Sequence, residues 1–289
     1  MNYSPNFLGR NLRKAETNTI LVIQPSTEHS LYSEIMRGMQ LKAFELGYDI
    51  ISSNSNSTSE IEIRQMNMLF NRTVDGAVLM GTQYSATMLN ELADKYNIAL
   101  CCEGVAGANV LTVTVDDEQA GYDAGRALLA KGHKRLAIVS TLPYAQSSVK
   151  RETGFLKALN EAGLPTDERY IYRGSYDYRN GTIALDRFLL LEEPPTAIFC
   201  VSDLLAAGVI HRAVDKGLAV GKDLAIMGFD NITMCHMYSP SISTVAQPCE
   251  KMGAMVIEKL IDNITTKREK DNKSYFIPHD VILRQSTGD

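Results

Sequence analysis

The sequence lacks the patterns of export and membrane insertion. Residues 1–18 are polar and include Arg10, Arg13 and Lys14, without the apolar stretch of a signal peptide. No uninterrupted apolar run is long enough to span a bilayer. We therefore predict a cytoplasmic protein without a membrane partner.

Cysteine is sparse and forms no framework. The five cysteines are an odd number in a chain of 289 residues, which favours a reducing compartment. Cys101 and Cys102 follow an apolar run at 98–100 and are interpreted as buried strand residues. No cysteine–histidine spacing resembles a zinc site, so we predict no metal.

Catalytic signatures are also missing from the sequence. The five histidines show no i,i+4 pair and no nucleophile partner, and no Walker loop or GxGxxG motif opens a helix. We therefore predict that the chain is not an enzyme and binds no cofactor.

The charge balance is acidic, with 29 basic and 34 acidic residues and a net charge of −5. Such a chain does not attract nucleic acid through its overall field, so any DNA contact requires a local basic segment. Residues 5–14 form such a segment outside the regular pattern of the rest of the chain. The alternative is a frayed terminus or an expression remnant.

From residue 19 onward, short apolar runs alternate with amphipathic helical stretches. Apolar runs lie at 19–23, 48–52, 76–80, 98–102 and 110–115, and the pattern starts again with runs at 136–139, 170–172, 197–201 and 224–229. This alternation predicts an α/β fold with two doubly wound parallel-sheet subdomains. A helix at 251–264 and a final strand at 274–283 have no third domain to join. They must return to the existing sheets, so the chain crosses between domains several times. Two such domains form a cleft, and small ligands prefer domain interfaces and strand carboxyl ends.

Several short motifs occur in an order and spacing that resemble the LacI/GalR repressors. They are YSPN at 3–6, GRNLR at 9–13, TNTILV at 17–22, SEIMRG at 33–38, GHKR at 132–135, Arg151 before GF at 154–155, PPTA at 194–197, SD at 202–203, GFDN at 228–231 and AQP at 246–248. The resemblance covers essentially the whole chain. Within the family, the chain looks most similar to the cytidine and purine repressors.

The resemblance implies a periplasmic-binding-protein-like type I core that works as a homodimer, with two subdomains joined by three crossovers. The crossovers are expected near 115–117, 244–247 and 276–278. The implied domains are a hinge and linker at 1–17, with a hinge helix at about 5–14 and the helix-turn-helix head absent. The N-terminal subdomain is 18–116 plus 248–276, and the C-terminal subdomain is 117–247 plus 277–289.

The basic segment resembles the hinge helix of the family, which contacts operator DNA. By this resemblance, Leu12 wedges into a minor-groove step while Arg10 and Arg13 meet phosphates. A short helix of this kind is marginal in water, so it should order only on DNA. Without the head, binding should be weak and largely non-specific.

Asp230 and Arg151 are the central candidates for effector binding. A carboxylate at the end of a strand can accept hydrogen bonds from two hydroxyl or N–H groups of a ligand, although Asp230 could instead cap the next helix. A guanidinium suits a ring oxygen or a hydroxyl pair, although Arg151 could instead lie exposed and pair with Glu152 or Asp177. The family match favours the ligand role for both residues.

Further candidates come from the family's pocket. Leu31 and Tyr32 would face one side of the ligand ring, Tyr176 would form the opposite wall, and Ser147 would add a hydroxyl. The family often has an aromatic residue in place of Leu31, so this position departs from the pattern. Asp203 is expected to cap the helix that begins near residue 204 rather than to touch the ligand.

The sequence therefore predicts a ligand-controlled repressor whose interdomain cleft binds a nucleoside or a ribose-like molecule. Binding would change the dimer and hinge geometry, and it could either release DNA or promote DNA binding. One alternative is a regulator of the same family that responds to a hexose or pentose. Another is an extracytoplasmic sugar-binding protein of a transporter.

Overall fold

The structure is a computed structural model that describes residues 17–27, 29–142, 145–164, 166–266 and 269–289. The predicted hinge residues Arg10, Leu12 and Arg13 lie outside these ranges. The chain divides into two compact units. Unit 1 comprises the chain up to Thr114 together with Cys249–Phe276, and unit 2 comprises Val115–Pro248 and Ile277–Asp289.

Unit 1 contains a six-stranded parallel sheet, sheet 1, with the strand order β11-β5-β4-β3-β1-β2. Its strands are β1 (Thr19–Gln24), β2 (Asp49–Asn54), β3 (Gly76–Leu79), β4 (Ile98–Cys101), β5 (Leu111–Thr114) and β11 (Ser274–Phe276). The helices that flank it are α1 (Ser30–Glu45), α2 (Ser59–Phe70), α3 (Ala86–Lys95) and α9 (Cys249–Thr265). Every residue of β3, β4 and β5 is buried, as continuous apolar strands covered on both faces require.

Unit 2 contains sheet 2, with the strand order β12-β10-β9-β8-β6-β7. Its strands are β6 (Leu136–Thr141), β7 (Ile171–Gly174), β8 (Ala197–Cys200), β9 (Ala225–Asp230), β10 (Ser243–Ala246) and β12 (Asp280–Ile282). Its helices are α4 (Asp117–Ala130), α5 (Gln146–Glu161), α6 (Tyr178–Phe188), α7 (Asp203–Asp215) and the short α8 (Met234–Met237). Strand β12 pairs antiparallel with β10, and the other pairs are parallel. The predicted α/β fold with two doubly wound sheets is confirmed.

The last part of the chain differs from the prediction made from the apolar runs alone. The single strand expected at 274–283 is two strands, because β11 joins sheet 1 and β12 joins sheet 2. The chain passes between the units after Thr114, after Pro248 and after Phe276. An apolar run shows that a segment is extended, but it does not show that the segment changes sheets in its middle.

Glycines allow pairs of helices to pack backbone against backbone. A methyl group on Gly121 of α4 would lie 2.0 Å from the carbonyl oxygen of Arg151, and one on Gly154 of α5 would lie 1.8 Å from that of Glu118. Reciprocal glycines of the same kind join α1 to α9 through Gly38 and Gly253, and α6 to α7 through Gly181 and Gly208. These distances are far below any contact that a real Cβ atom makes, so the close approach requires glycine.

Among the described residues, no helix has both the length and the apolar character needed to cross a membrane. In the same residues, no group of three or more histidine, cysteine or carboxylate side chains could hold a metal ion.

Candidate binding site

The predicted polar residues of unit 2 gather at the carboxyl edge of sheet 2. Strand β6 lies between β7 and β8 in sheet 2. The chain leaves β6 toward β7 and leaves β8 toward β9, so the two connections run in opposite directions from the gap between β6 and β8. Open α/β sheets bind ligands at such a switch point. Arg151 lies on α5, which follows β6, Tyr176 follows β7, and Asp230 is the last residue of β9.

Arg151 is buried, with 5% of its surface exposed, and its guanidinium is held from several sides. Its Nε donates to Asp117 Oδ1 at 2.8 Å and its Nη1 donates to the Val201 carbonyl at 2.9 Å. Its guanidinium carbon also lies 3.6 Å from the centre of the Phe229 ring, in a cation–π contact. The alternative of an exposed Arg151 that pairs with Glu152 is wrong. Arg151 is buried, and Glu152 pairs with Arg173 instead. The close packing of α4 on α5 brings Asp117, the first residue of α4, within reach of Arg151.

Asp230 is also buried, with 4% of its surface exposed, and its two carboxylate oxygens have different partners. Oδ1 accepts from Gln247 Nε2 at 2.7 Å and lies 3.7 Å from Arg151 Nη1. Oδ2 accepts from the Tyr176 hydroxyl at 3.2 Å. The alternative in which Asp230 caps the next helix does not hold, because α8 begins after Thr233.

Burial and charge act in opposite directions on these groups. Burial raises the pKa of Asp230 to about 6, although Arg151 and the hydrogen bonds from Gln247 and Tyr176 lower it. Burial lowers the pKa of Arg151, but the carboxylates of Asp117 and Asp230 outweigh burial and raise it overall. Arg151 therefore stays charged and partly compensates two buried carboxylates.

The structure brings Arg151, Tyr176 and Asp230 together. Ser147 is buried one turn before Arg151 on α5. Leu31 and Tyr32 lie in the first turn of α1, in unit 1. Leu31 is buried, and the Tyr32 ring contacts His29 edge to face at a centroid distance of 6.0 Å. Their contribution to a ligand site stays a prediction.

Sequence reasoning did not identify several residues of this arrangement, notably Asp117, Phe229 and Gln247. Phe229 and Gln247 belong to the motifs at 228–231 and 246–248, which indicated a family but no contact. Asp117 follows the helix-capping Asp116, and adjacent acidic residues at a helix start are common without any ion pair. The signals were present, but the partners are distant in sequence.

The expected role of Asp203 as a helix cap is wrong. Ser202 caps α7, because its hydroxyl accepts from the Leu205 backbone N–H at 3.3 Å. Asp203 is the first residue inside the helix, and its carboxylate points toward β10 and the turn that follows β9. It accepts from the Thr244 hydroxyl at 2.7 Å and from the Ile232 N–H at 3.0 Å. Serine and aspartate are both good N-caps, so the sequence Ser202-Asp203 alone does not show which of the two caps the helix.

Three hydroxyl groups near the same edge are buried and have no partner among the described residues. Ser140 and Thr141 end β6, and Ser148 lies in the first turn of α5. Buried hydroxyls are normally hydrogen-bonded to protein, water or ligand. With the guanidinium of Arg151, the carboxylate of Asp230 and the Tyr176 ring, this edge offers donors and acceptors beside an aromatic face. Such a set can bind a ring that carries several hydroxyl groups.

Comparisons with known proteins agree with this architecture. A sequence profile described as periplasmic binding proteins and sugar binding domain of the LacI family matches residues 17–285. The catabolite control protein A of Priestia megaterium is 36% identical over 289 residues, which cover 99% of this chain and 87% of that protein. The transcriptional repressor PurR of Erwinia tasmaniensis is 31% identical over 292 residues, covering 100% of this chain and 85% of that protein. A crystal structure of a LacI family transcriptional regulator from Enterococcus faecium with bound ribose has a TM-score of 0.83 at 26% identity, covering 93% and 98% of the two chains.

These similarities confirm the predicted resemblance to purine repressors, and a catabolite control protein is similar at a higher identity. Both relatives are regulators of transcription, which agrees with the prediction that the chain is not an enzyme.

Proposed function

Because the chain belongs to the LacI/GalR family of transcriptional repressors, we propose that its core binds a ribose-containing effector at the carboxyl edge of sheet 2. Asp230 would accept hydrogen bonds from two adjacent hydroxyl groups, and Arg151 would donate to the ring oxygen or a hydroxyl. Tyr176 would lie against the ring. A nucleoside or ribose itself fits these roles.

The observation that carries this proposal is the buried contact of Arg151 with Asp230. A buried charged pair costs desolvation free energy that a hydrophobic pair would avoid, so it is a poor way to stabilise a domain. It does provide fixed donors and acceptors for a polar ligand. A related regulator with bound ribose supports the choice of a pentose. A free hexose is the second candidate, since its hydroxyl groups could use the same donors and acceptors.

A thermal-shift screen with ribose, adenosine, cytidine, free purines and glucose tests the ligand class. A binder at a hundred times its dissociation constant should stabilise the chain by about 2.7 kcal/mol. We expect ribose or a nucleoside to raise the midpoint and glucose to raise it less. A shift with glucose alone would favour the hexose alternative.

Two variants test the residues, and each has a matched control. Asp230→Asn keeps the shape of the side chain but removes one acceptor, and Arg151→Lys keeps the charge but removes the planar guanidinium. Both variants should therefore show a smaller ligand-induced thermal shift. Asp186→Asn also breaks an arginine–aspartate pair in unit 2, but on the surface, where Asp186 meets Arg212 at 2.9 Å. It should leave the shift unchanged. If the two site variants respond to the ligand as the wild type does, the site is elsewhere.

DNA binding, dimerisation and cytoplasmic location complete the proposed role. The hinge would contact operator DNA through Leu12, Arg10 and Arg13, and two chains would present two hinges. Arg10→Ala and Arg13→Ala should each reduce the salt dependence of binding to duplex DNA by about one unit of slope. Unchanged slopes in both variants would remove the hinge arginines from the interface.

A further inference from the structure

Asp203 holds the turn that carries Asp230. Its Oδ2 accepts from the backbone N–H of Ile232 at 3.0 Å, two residues beyond Asp230. Its Oδ1 accepts from the Thr244 hydroxyl at 2.7 Å, and the same hydroxyl oxygen accepts from the Asn231 N–H at 3.3 Å. The Asp203 carboxylate thus fixes two consecutive backbone amides of the turn. It holds that of Ile232 directly and that of Asn231 through the Thr244 hydroxyl.

The turn itself has an unfavourable backbone conformation. The φ angle of Asp230 is +113° and that of Asn231 is +60°. Residues other than glycine rarely adopt positive φ angles. Such a conformation persists only where surrounding contacts hold it. Arg284 adds a contact by donating from Nη2 to Asn231 Oδ1 at 2.7 Å.

The position of Asp203 is itself fixed by close packing. A methyl group on Gly228 would lie 2.2 Å from Asp203 Oδ1 and 3.1 Å from its Cα, so β9 approaches α7 as closely as glycine permits. Asp203 is fully buried and does not act as the cap of its own helix. The oxygens of Asp203 therefore bond to the turn after β9 and to Thr244 of β10.

We propose that Asp203 is a positioning residue for the effector, which sets the conformation of the Asp230 turn through the N–H of Ile232 and the hydroxyl of Thr244. This role rests on the proposed function insofar as Asp230 binds the ligand, whereas the link from Asp203 to the turn is independent of any ligand. The ionised carboxylate is the competent form because every hydrogen bond that it makes here is accepted.

The groups that face Asp203 make its charge sensitive to pH. Asp230 lies on β9, Cys200 on β8 and Cys235 on α8, where the Cys235 thiol also hydrogen-bonds to Asp203. Burial and the negative charge of Asp230 together raise the pKa of Asp203 to about 7, against the hydrogen bonds from Thr244, Cys235 and Ile232, which lower it. A fall in pH below neutrality should therefore protonate Asp203 and weaken the hydrogen bonds by which it holds the turn, although relief of the buried charge stabilises the chain as a whole.

Hydrogen–deuterium exchange of the ligand-free chain tests the structural link. Asp203→Asn keeps the shape but presents an amide N–H₂ group to one of the donors, and Thr244→Val removes the hydroxyl while keeping the size. We expect both variants to speed exchange at residues 231 and 232, while amides of β8 keep their protection. Asp223→Asn is the control, because Asp223 also accepts a backbone N–H, that of Ala219 at 2.8 Å, in an exposed turn of the same unit.

The affinity for D-ribose as a function of pH tests the functional consequence. At pH 8, Asp203→Asn and Thr244→Val should each bind about tenfold more weakly, as the loss of one hydrogen bond to a charged group implies, and the double variant should bind no more weakly than either. Wild-type affinity should fall as the pH decreases below neutrality. In Asp203→Asn the onset of that fall should move to lower pH, which a merely destabilising change would not do.

The two measurements separate the two proposals. If D-ribose does not bind the wild type but exchange at 231 and 232 responds to Asp203→Asn, the ligand class is wrong and the positioning of the turn stands. If exchange at the turn is the same in Asp203→Asn and wild type, the positioning role is wrong, whatever the ribose affinity.

Discussion

At the scale of single residues, Arg151 is the cation between two buried carboxylates. Asp117 and Asp230 lie 2.8 and 3.7 Å from its nitrogens, and the side chains of all three are only 5–6% exposed. Water screens such charges poorly, so the removal of one partner leaves the others uncompensated. The surface ion pairs of the same unit differ, since solvent can replace the lost partner.

Arg151→Met should therefore destabilise the chain by about 3–5 kcal/mol, as measured by urea unfolding. The matched control is Arg173→Met on β7, whose partners are Glu152 and Glu168 and whose side chain is 37% exposed. It should cost less than about 1 kcal/mol. Similar losses in the two variants would contradict a special role for burial.

The pH dependence of stability follows from the same residues. Burial raises the pKa of Asp203 to about 7 and that of Asp230 to about 6, whereas unfolded aspartate titrates near 4. Between these values the folded chain holds more protons than the unfolded chain. These two groups therefore stabilise the fold at low pH, and that contribution is lost as the pH rises from about 4 through the folded pKa values of about 6 and about 7.

We expect Asp230→Asn to flatten the decline in the free energy of unfolding between pH 4 and pH 6, measured by urea titration at each pH. Asp223→Asn, in an exposed turn, should keep the wild-type profile. A steeper decline in Asp230→Asn than in the wild type would reverse the assigned sign.

At the scale of elements, reciprocal glycines set the distances between paired helices. In the α4–α5 pair, Gly121 and Gly154 bring the helix backbones together and thereby place Asp117 beside Arg151. The site therefore depends on positions that do not carry any of its chemistry. Side-chain repacking cannot accommodate a methyl group there, because the atoms that it would meet are backbone atoms.

Gly121→Ala should destabilise the chain by about 3 kcal/mol, at the upper end of the range for overpacked cores. Gly104→Ala is the control, since its methyl group would make an ordinary contact of 3.6 Å with Thr112. It should change the free energy of unfolding by less than about 0.5 kcal/mol. If Gly121→Ala changes the free energy of unfolding as little as Gly104→Ala does in a urea titration, the two helices can move apart without cost.

The sequence allowed prediction of elements more readily than of the contacts between them. Apolar runs located β1, β3 and β8 to within a residue or two, because buried parallel strands have few polar positions. The sequence pattern predicts helix α5 only from residue 150, but the helix begins at Gln146, since its first turn contains serines that sequence patterns assign to loops.

Within the site, Arg151 and Asp230 could be named from the sequence because they lie in family motifs. Asp117 and the role of Asp203 could not, because their partners are 34 and 41 residues away in the chain. Local propensity carries no information on such pairs. Which face of a helix a glycine occupies is equally invisible without the fold.

At the scale of the whole molecule, the last residues of the chain complete both sheets. Strand β11 pairs with β5 at the edge of sheet 1, and β12 pairs with β10 at the edge of sheet 2. Beyond β12, the Ser286 hydroxyl donates to the Ile226 carbonyl and accepts from the Ser243 N–H. Each unit is therefore assembled from segments that are distant in sequence.

Truncation should separate these contributions. A chain that ends at Phe276 keeps β11 and loses β12, so amides of β10 should exchange faster while those of β5 keep their protection. A chain that ends at Lys273 should lose protection in both strands. Hydrogen–deuterium exchange measures both, and loss of protection in β5 on removal of 277–289 alone would contradict separate contributions.

The late position of β11 and β12 also constrains the order of events on the ribosome. Residues 19–114 emerge first, yet they cannot form a sheet with its final edge until the segment at 274–276 has left the exit tunnel. The nascent chain thus presents β5 as an unpaired strand edge during most of its synthesis, and such edges promote association between chains. The speed of translation through the last quarter of the message and the supply of chaperones should therefore affect the yield of folded protein more than they would for a repressor core built from two consecutive domains.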